Sequence, residues 1–178
     1  MITKKEFYFI RHGQTDYNIS NAKIDHEDVS LNAMGLKQAQ AIEAIVAQLP
    51  IKSVCYSPFK RAKETKEIIS SRLQALHYEI PNLGECSMQI WNDMTTNRYQ
   101  AIESPHIHVK RFMEQALRGI NQSLSKEGAV LVVAHGGIHW AICCLMEISG
   151  HTWMIDNCLP VHFYPDANGQ WQAKTLIR

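Results

Sequence analysis

AVLVVA, Ala129 to Ala134, runs straight into His135-Gly136-Gly137. A continuous β-branched run with no polar residue on either face is the pattern of a strand covered on both sides in a parallel sheet. The apolar stretch from Ile138 to Ile148 reads as the helix that follows, so this strand ends on a histidine. Working back to the N-terminus, EFYFI at Glu6–Ile10 is a second buried strand that delivers Arg11-His12-Gly13, where Gly13 permits a tight turn. A third, Ile51–Tyr56, leads to Ser57-Pro58, an N-cap with proline at the first helical position, and to a helix from about Phe59 to Leu73 carrying Arg61 in its first turn.

The remaining segments fill in around these three strands. Ile42, Ile45, Val46 and Leu49 form the apolar stripe of a helix spanning Asn32 to Leu49, which Pro50 stops. Tyr78–Ile80 reads as a short strand, and Pro81–Gln100 as irregular chain or a short helix. Ser104-Pro105 repeats the cap signal before a helix reaching about Ser125, with Val109, Phe112, Met113, Ala116 and Ile120 at helical spacing. Val161–Tyr164 and Trp171–Ile177, joined by a turn containing Asn168-Gly169, read as a terminal antiparallel pair. The alternation predicts an α/β fold, a three-layer αβα sandwich with a mostly parallel central sheet and an antiparallel edge, forming a single domain over 1–178. Ligands of such sheets bind beyond the carboxyl ends of the strands, where Arg11, His12, Arg61 and His135 are all expected.

Composition narrows the chemistry. Of the 178 residues, 46% are hydrophobic and 20% charged, which is the make-up of a packed globular domain and argues against disorder or a coiled coil. Eighteen Lys and Arg balance seventeen Asp and Glu, too little excess for nucleic acid or an acidic membrane to be the expected partner. The five cysteines, Cys55, Cys86, Cys143, Cys144 and Cys158, lack CxxC spacing and fit a reduced, cytoplasmic setting. The charged start, Met1 to Glu6, predicts neither a signal peptide nor a membrane anchor.

Guanidinium forks are the best side-chain match to phosphate oxygens, and Arg11 and Arg61 supply two. Charge from both disfavours protonation of His12, leaving a ring nitrogen free to attack phosphorus. His135, with Gly136 at a helix start, is suited to donate to the transferring phosphoryl group beside exposed backbone N–H groups. A leaving alkoxide needs a proton, for which Glu85 is the candidate and Asp93 the next. These groups neutralise phosphoryl charge without a metal ion, so neither a metal nor another cofactor is expected.

The motifs together resemble the histidine phosphatase superfamily, the phosphoglycerate mutase-like family. Arg11-His12-Gly13-Gln14-Thr15 with Asn18 resembles its RHGxTxxN signature; Ser57-Pro58-Phe59-Lys60-Arg61-Ala62 with Thr65 resembles SPLxRAxxT. Leu83-Gly84-Glu85 is similar to the LxE stretch, and Ala134-His135-Gly136-Gly137 to AHGG. The resemblance implies a phosphoglycerate mutase-like sandwich and a phosphohistidine on His12. It also implies catalytic roles for Arg11, Arg61, His135 and Glu85, and phosphate contacts from Arg11, Gly13, Asn18, Arg61, His135 and Gly136. The sequence departs from the family after Glu85, where Gln89 and Trp91-Asn92-Asp93 replace the usual Gly and Trp-Glu-Gly.

The expected activity is hydrolysis of a phosphate monoester on a small phosphorylated metabolite. A mutase that returns the phosphoryl group to a second hydroxyl and a non-catalytic phosphate-recognition module are the alternatives. The short stretch between Glu85 and His135 favours the phosphatase, because water must reach the phosphohistidine, and specificity is expected to reside in Cys86 to Lys110. His106 and His108 form a lone HxH, and His135 and His139 an HxxxH without the zincin Glu; neither is expected to bind metal. Cys143 and Cys144 are expected to be buried, and Trp91, Trp140, Trp153 and Trp171 to pack in the core or at its edge.

Overall fold

The computed structural model describes residues 1–19, 28–96, 106–148 and 155–177. In chain order the elements are β1 (Phe7–Arg11), α1 (Asp16–Ile19), α2 (Ala33–Val46), β2 (Ile51–Tyr56), α3 (Lys60–Ile69), β3 (Leu76–Glu79), a 3-10 turn at Pro81–Leu83, α4 (Met88–Thr96), α5 (Ile107–Leu124), β4 (Ala129–Ala134), α6 (Gly136–Leu145), β5 (Pro160–Pro165) and β6 (Trp171–Thr175). The six strands form one sheet in the order β3-β2-β4-β1-β5-β6. β1 to β4 run parallel, while β5 lies antiparallel to β1 and β6 antiparallel to β5. This is the expected α/β sandwich with an antiparallel edge.

The uniform hydrophobicity of β4 has a direct packing cause. Val130, Val132 and Ala134 face a core built with Phe112, Ala116 and Ile120 of α5 and Ile138 and Ile142 of α6. Leu131 and Val133 face the other way, onto Ala39, Ile42 and Val46 of α2 and Ile69 of α3. A central strand with helices on both sides has no solvent face on which to keep a polar residue. Trp140 and Trp171 are buried in the first of these cores, with Trp91 packed partly buried against it; Trp153 lies outside the described residues.

Several boundaries differ from the sequence expectation. α6 begins at Gly136, so the two glycines form its first turn rather than a loop before it. Ser57 does not cap α3, whose N-cap is Phe59; its hydroxyl is engaged elsewhere. α5 begins at Ile107, and Ser104-Pro105 lie outside the described residues. Among the described residues no helix is long and apolar enough to cross a membrane.

Candidate active site

Register brings the site together. β1 and β4 are neighbours with Arg11 opposite Ala134, so His12 and His135 each stand one residue beyond the end of adjacent parallel strands. The His12 amide continues the ladder onto the Ala134 carbonyl at 3.0 Å, and the Ser57 amide, one residue beyond β2, does the same onto Val133 at 3.0 Å. Three strand ends thus place His12, His135 and the start of α3 side by side. The two imidazole centroids are 5.1 Å apart, in an edge-to-face arrangement.

His12 is fixed by its own turn. Its Nδ1 lies 2.7 Å from the Gly13 carbonyl, which can only accept, so Nδ1 carries the hydrogen and Nε2 keeps its lone pair. Arg61 Nε donates to that Nε2 at 3.2 Å. Gly13 has no left-handed φ; its demand is steric, since a Cβ there would stand 2.6 Å from the Gly35 carbonyl oxygen. Thr65 ties the same turn to α3, accepting from Gly13 N at 2.9 Å and donating to the Arg61 carbonyl at 2.7 Å.

Burial holds both imidazoles well below the ordinary histidine range, and the Arg61 and Arg11 charges push them further down; His12 adds to the effect on His135. The guanidiniums were expected to be the cause for His12, but desolvation is the larger one. Both rings are neutral near pH 7, which is the state a nitrogen nucleophile requires.

His135 Nε2 meets the Ser57 hydroxyl at 2.7 Å, while its Nδ1 is buried without a hydrogen-bond partner among the described residues. Ser57 Oγ also accepts from Phe59 N at 3.3 Å, and in the tautomer in which the hydroxyl donates to Nε2 the ring hydrogen sits on Nδ1. That leaves Nδ1–H of His135 as an unused donor. Arg11 Nε is likewise buried and unpartnered, although Arg11 also donates from Nη1 to the Ile155 carbonyl at 2.7 Å. Buried donors without acceptors are rare in folded proteins, and two at one site are what an anion would satisfy.

Glu85 lies at the same rim. Its Oε2 accepts from Gly137 N at 3.2 Å, in the first turn of α6, and its Oε1 from Cys86 N at 3.0 Å. Its charge supports protonation of both Arg11 and Arg61, which places it within electrostatic reach of each. Gly136 lies against the Arg11 guanidinium and the Trp91 ring.

Asn18 sits in α1, a one-turn helix that the sequence pattern did not announce, and its Oδ1 accepts from Thr15 N at 3.0 Å and Thr15 Oγ1 at 3.1 Å. Its carbonyl is therefore used in a turn, and only its amide hydrogens remain for a phosphate. Glu64, which could have paired with Arg61 along α3, instead accepts from Leu31 N at 2.7 Å. The rings of His106 and His108 stack on each other at 4.9 Å, and no group of three potential metal ligands gathers among the described residues.

Sequence reasoning missed three supports of the site. Ser57 is one. The second is the 155–158 segment, where Asn157 Nδ2 donates to the His12 carbonyl at 2.8 Å and Cys158 N to the Arg11 carbonyl at 2.9 Å, clamping the end of β1. The third is the Tyr17 hydroxyl, which meets the Met88 sulfur and joins α1 to α4. All five cysteines are free thiols, and burial pushes Cys55 and Cys144 up to about 11 and Cys158 up to about 12.

Two histidines and two arginines thus converge at the strand ends of an α/β sandwich. The model of the histidine phosphatase superfamily (branch 1) matches residues 7–176, and the chain belongs to that family. It is 30% identical to the uncharacterized phosphatase PhoE of Bacillus subtilis (strain 168), over 93% of this chain and 90% of that protein. The fold is similar to the alpha-ribazole phosphatase from Shigella flexneri, with a TM-score of 0.71 at 20% identity over 97% and 96% of the two chains. It is also similar to the phosphoglycerate mutase from Bacillus anthracis, with a TM-score of 0.71 at 14% identity over 97% and 93%.

Proposed function

We propose that this chain is a phosphatase that hydrolyses the monoester of a small phosphorylated metabolite through a phosphohistidine on His12, without a metal ion or other cofactor. The observation that carries the reading is the pair of neutral imidazoles with Arg61 on the free nitrogen of one and an unused donor on the other. An arriving phosphate dianion draws the Arg61 and Arg11 forks onto its oxygens, releasing the lone pair of His12 Nε2. That nitrogen attacks phosphorus in line with the ester oxygen. The P–O bond breaks as P–N forms, and His135 Nδ1–H donates to a non-bridging oxygen whose charge grows.

The departing alkoxide takes a proton from Glu85, which takes up that proton from solvent as the negative phosphoryl group arrives beside it and is then left as a carboxylate. Water then enters from the same side, gives a proton back to Glu85 and attacks phosphorus, breaking the P–N bond and returning His12 to its neutral form. Two guanidiniums, one imidazole N–H and the α6 amides supply the charge neutralisation that a metal would otherwise provide. Glu85 is taken as the acid because both arginines feel its charge and its carboxyl group sits against the first turn of α6. Five free thiols suit a reducing cytoplasm.

Phosphate release from a chromogenic phosphate ester, measured in the presence of a chelator, tests the reading. Turnover by the wild type and its loss in both His12→Ala and His135→Ala are expected. Undiminished turnover by His12→Ala would overturn the mechanism, and strict dependence on an added metal would overturn its metal-independent form.

A further inference from the structure

Glu85 faces two guanidiniums, and its charge acts on both, yet among the described residues neither Arg11 nor Arg61 forms an ion pair with it. Opposite charges in a partly buried site attract strongly, and a glutamate side chain has the rotatable bonds to close the gap. The carboxylate is therefore held back. Two amides do part of this, Cys86 N on Oε1 at 3.0 Å and Gly137 N on Oε2 at 3.2 Å. The Cys86 thiol is the third group within reach.

A Cβ built on Gly137 would meet Glu85 Oε1 at 2.2 Å and Cys86 Sγ at 3.0 Å, so oxygen and sulfur share the space over one glycine. The Cys86 side chain is partly buried against the core that α5 and α6 build, which restricts where its sulfur can go. Burial, the Glu85 charge and a hydrogen bond to that carboxylate all push the thiol up, so it keeps its hydrogen and serves as a donor rather than a nucleophile.

We propose that Cys86 is a positioning residue for the acid: its amide and its thiol together fix Glu85 Oε1, keep the carboxylate off Arg11 and Arg61, and leave Oε2 as the oxygen that carries the proton to the leaving alkoxide. Oε2 suits that part because Gly137 N holds it by one long bond. The inference rests on the phosphatase reading and adds to it the residue that aims the acid. A phosphate dianion outcompetes a single carboxylate for two guanidinium forks, so binding needs little help from the thiol. Proton delivery does need the carboxyl group in place, so loss of the thiol falls on kcat/KM for esters whose alcohol requires a proton to leave.

The test compares three variants of the full chain. On an alkyl phosphate, Cys86→Ala and Cys86→Val, the second filling the space of the thiol without a donor, lower kcat/KM by about tenfold, the scale of one hydrogen bond. Cys86→Ser restores a donor and stays within about threefold of the wild type. On 4-nitrophenyl phosphate, whose leaving group needs no proton, all three stay within about twofold. Inhibition by inorganic phosphate changes by no more than about twofold, because the arginine forks are untouched. The contact itself is read without substrate. The S–H stretching band lost from the Raman spectrum in Cys86→Ser belongs to Cys86, and in Glu85→Gln, where a neutral amide replaces the carboxylate, that band moves to higher wavenumber.

Rescue by Cys86→Val but not by Cys86→Ser would overturn the inference, since packing rather than donation would then be the role. Equal losses on both esters, undiminished kcat/KM in Cys86→Ala, or an S–H band indifferent to Glu85→Gln would do the same. Failure of the wild type to turn over any ester would instead count against the phosphatase reading, with the Raman comparison left to decide the contact.

Discussion

Gly137→Ala isolates the acid step. A Cβ at this position would stand 2.2 Å from Glu85 Oε1 and 3.0 Å from Cys86 Sγ, whereas ordinary contact begins at 3.4 Å. The carboxylate must therefore retreat by about 1.2 Å, the difference between 3.4 and 2.2 Å, and the Gly137 N to Glu85 Oε2 bond of 3.2 Å cannot survive that shift. Misplacing a reacting group by ~1 Å costs on the order of 10²-fold. For an alkyl phosphate, whose alkoxide needs a proton, kcat/KM is expected to fall by about 10²-fold, equivalent to about 2.7 kcal/mol of barrier. For 4-nitrophenyl phosphate, whose phenolate leaves unaided, the loss should stay below about fivefold, because the same acid contributes little there. Folding is not at issue, since alanine is favoured over glycine in a helix by about 1 kcal/mol and the clash is relieved by the end of a side chain. Initial rates on the two esters, with thermal unfolding as a control, decide the matter. Equal losses on both esters, or none on either, would refute the assignment of Glu85; Glu85→Gln should reproduce the selective loss.

Ser57→Ala removes the partner of His135 Nε2, and kcat should drop on the order of tenfold as the ring loses its fixed tautomer; ¹⁵N shifts of His135 report the tautomer directly. Arg61→Lys keeps the charge but loses the Nε and the planar fork, so kcat/KM should fall by about 10²-fold or more in steady-state assays. Stability should decline in acid. The unfolded chain protonates His12 and His135 near 6.5 while the folded chain resists, so unfolding free energy drops as pH falls below that value. The slope reaches up to about 1.4 kcal/mol per pH unit for each ring and flattens above neutrality. Urea titrations between pH 5 and 8 should give His12→Gln a shallower slope than the wild type; equal slopes would contradict the depressed His12 pKa.

What was legible in the sequence lies where a signal is local. β4 could be read because both of its faces are apolar, and the three strand ends followed from the residues that come after each strand. That His12 and His135 meet depends on β1 and β4 being neighbours, which no single segment encodes but which the parallel α/β pattern limits to few arrangements. The start of α6 was misplaced because glycine is a poor helix former; here Gly137 is used because Glu85 needs the space. Ser57 followed by proline gives a strong capping signal, yet the side chain is taken by a histidine 78 positions away. The 155–158 clamp acts through one asparagine side chain and main-chain groups, and the latter leave no residue-type signature.

The most direct measurement is to trap the intermediate by acid-free quenching after mixing with a labelled ester and to locate the phosphoryl group by mass spectrometry and ³¹P–¹H NMR. With Nδ1 of His12 tied to the Gly13 carbonyl, the label is predicted on Nε2 of His12, labile in acid and stable in alkali. A label on Nδ1, on His135 or on an acid-stable serine would contradict the account.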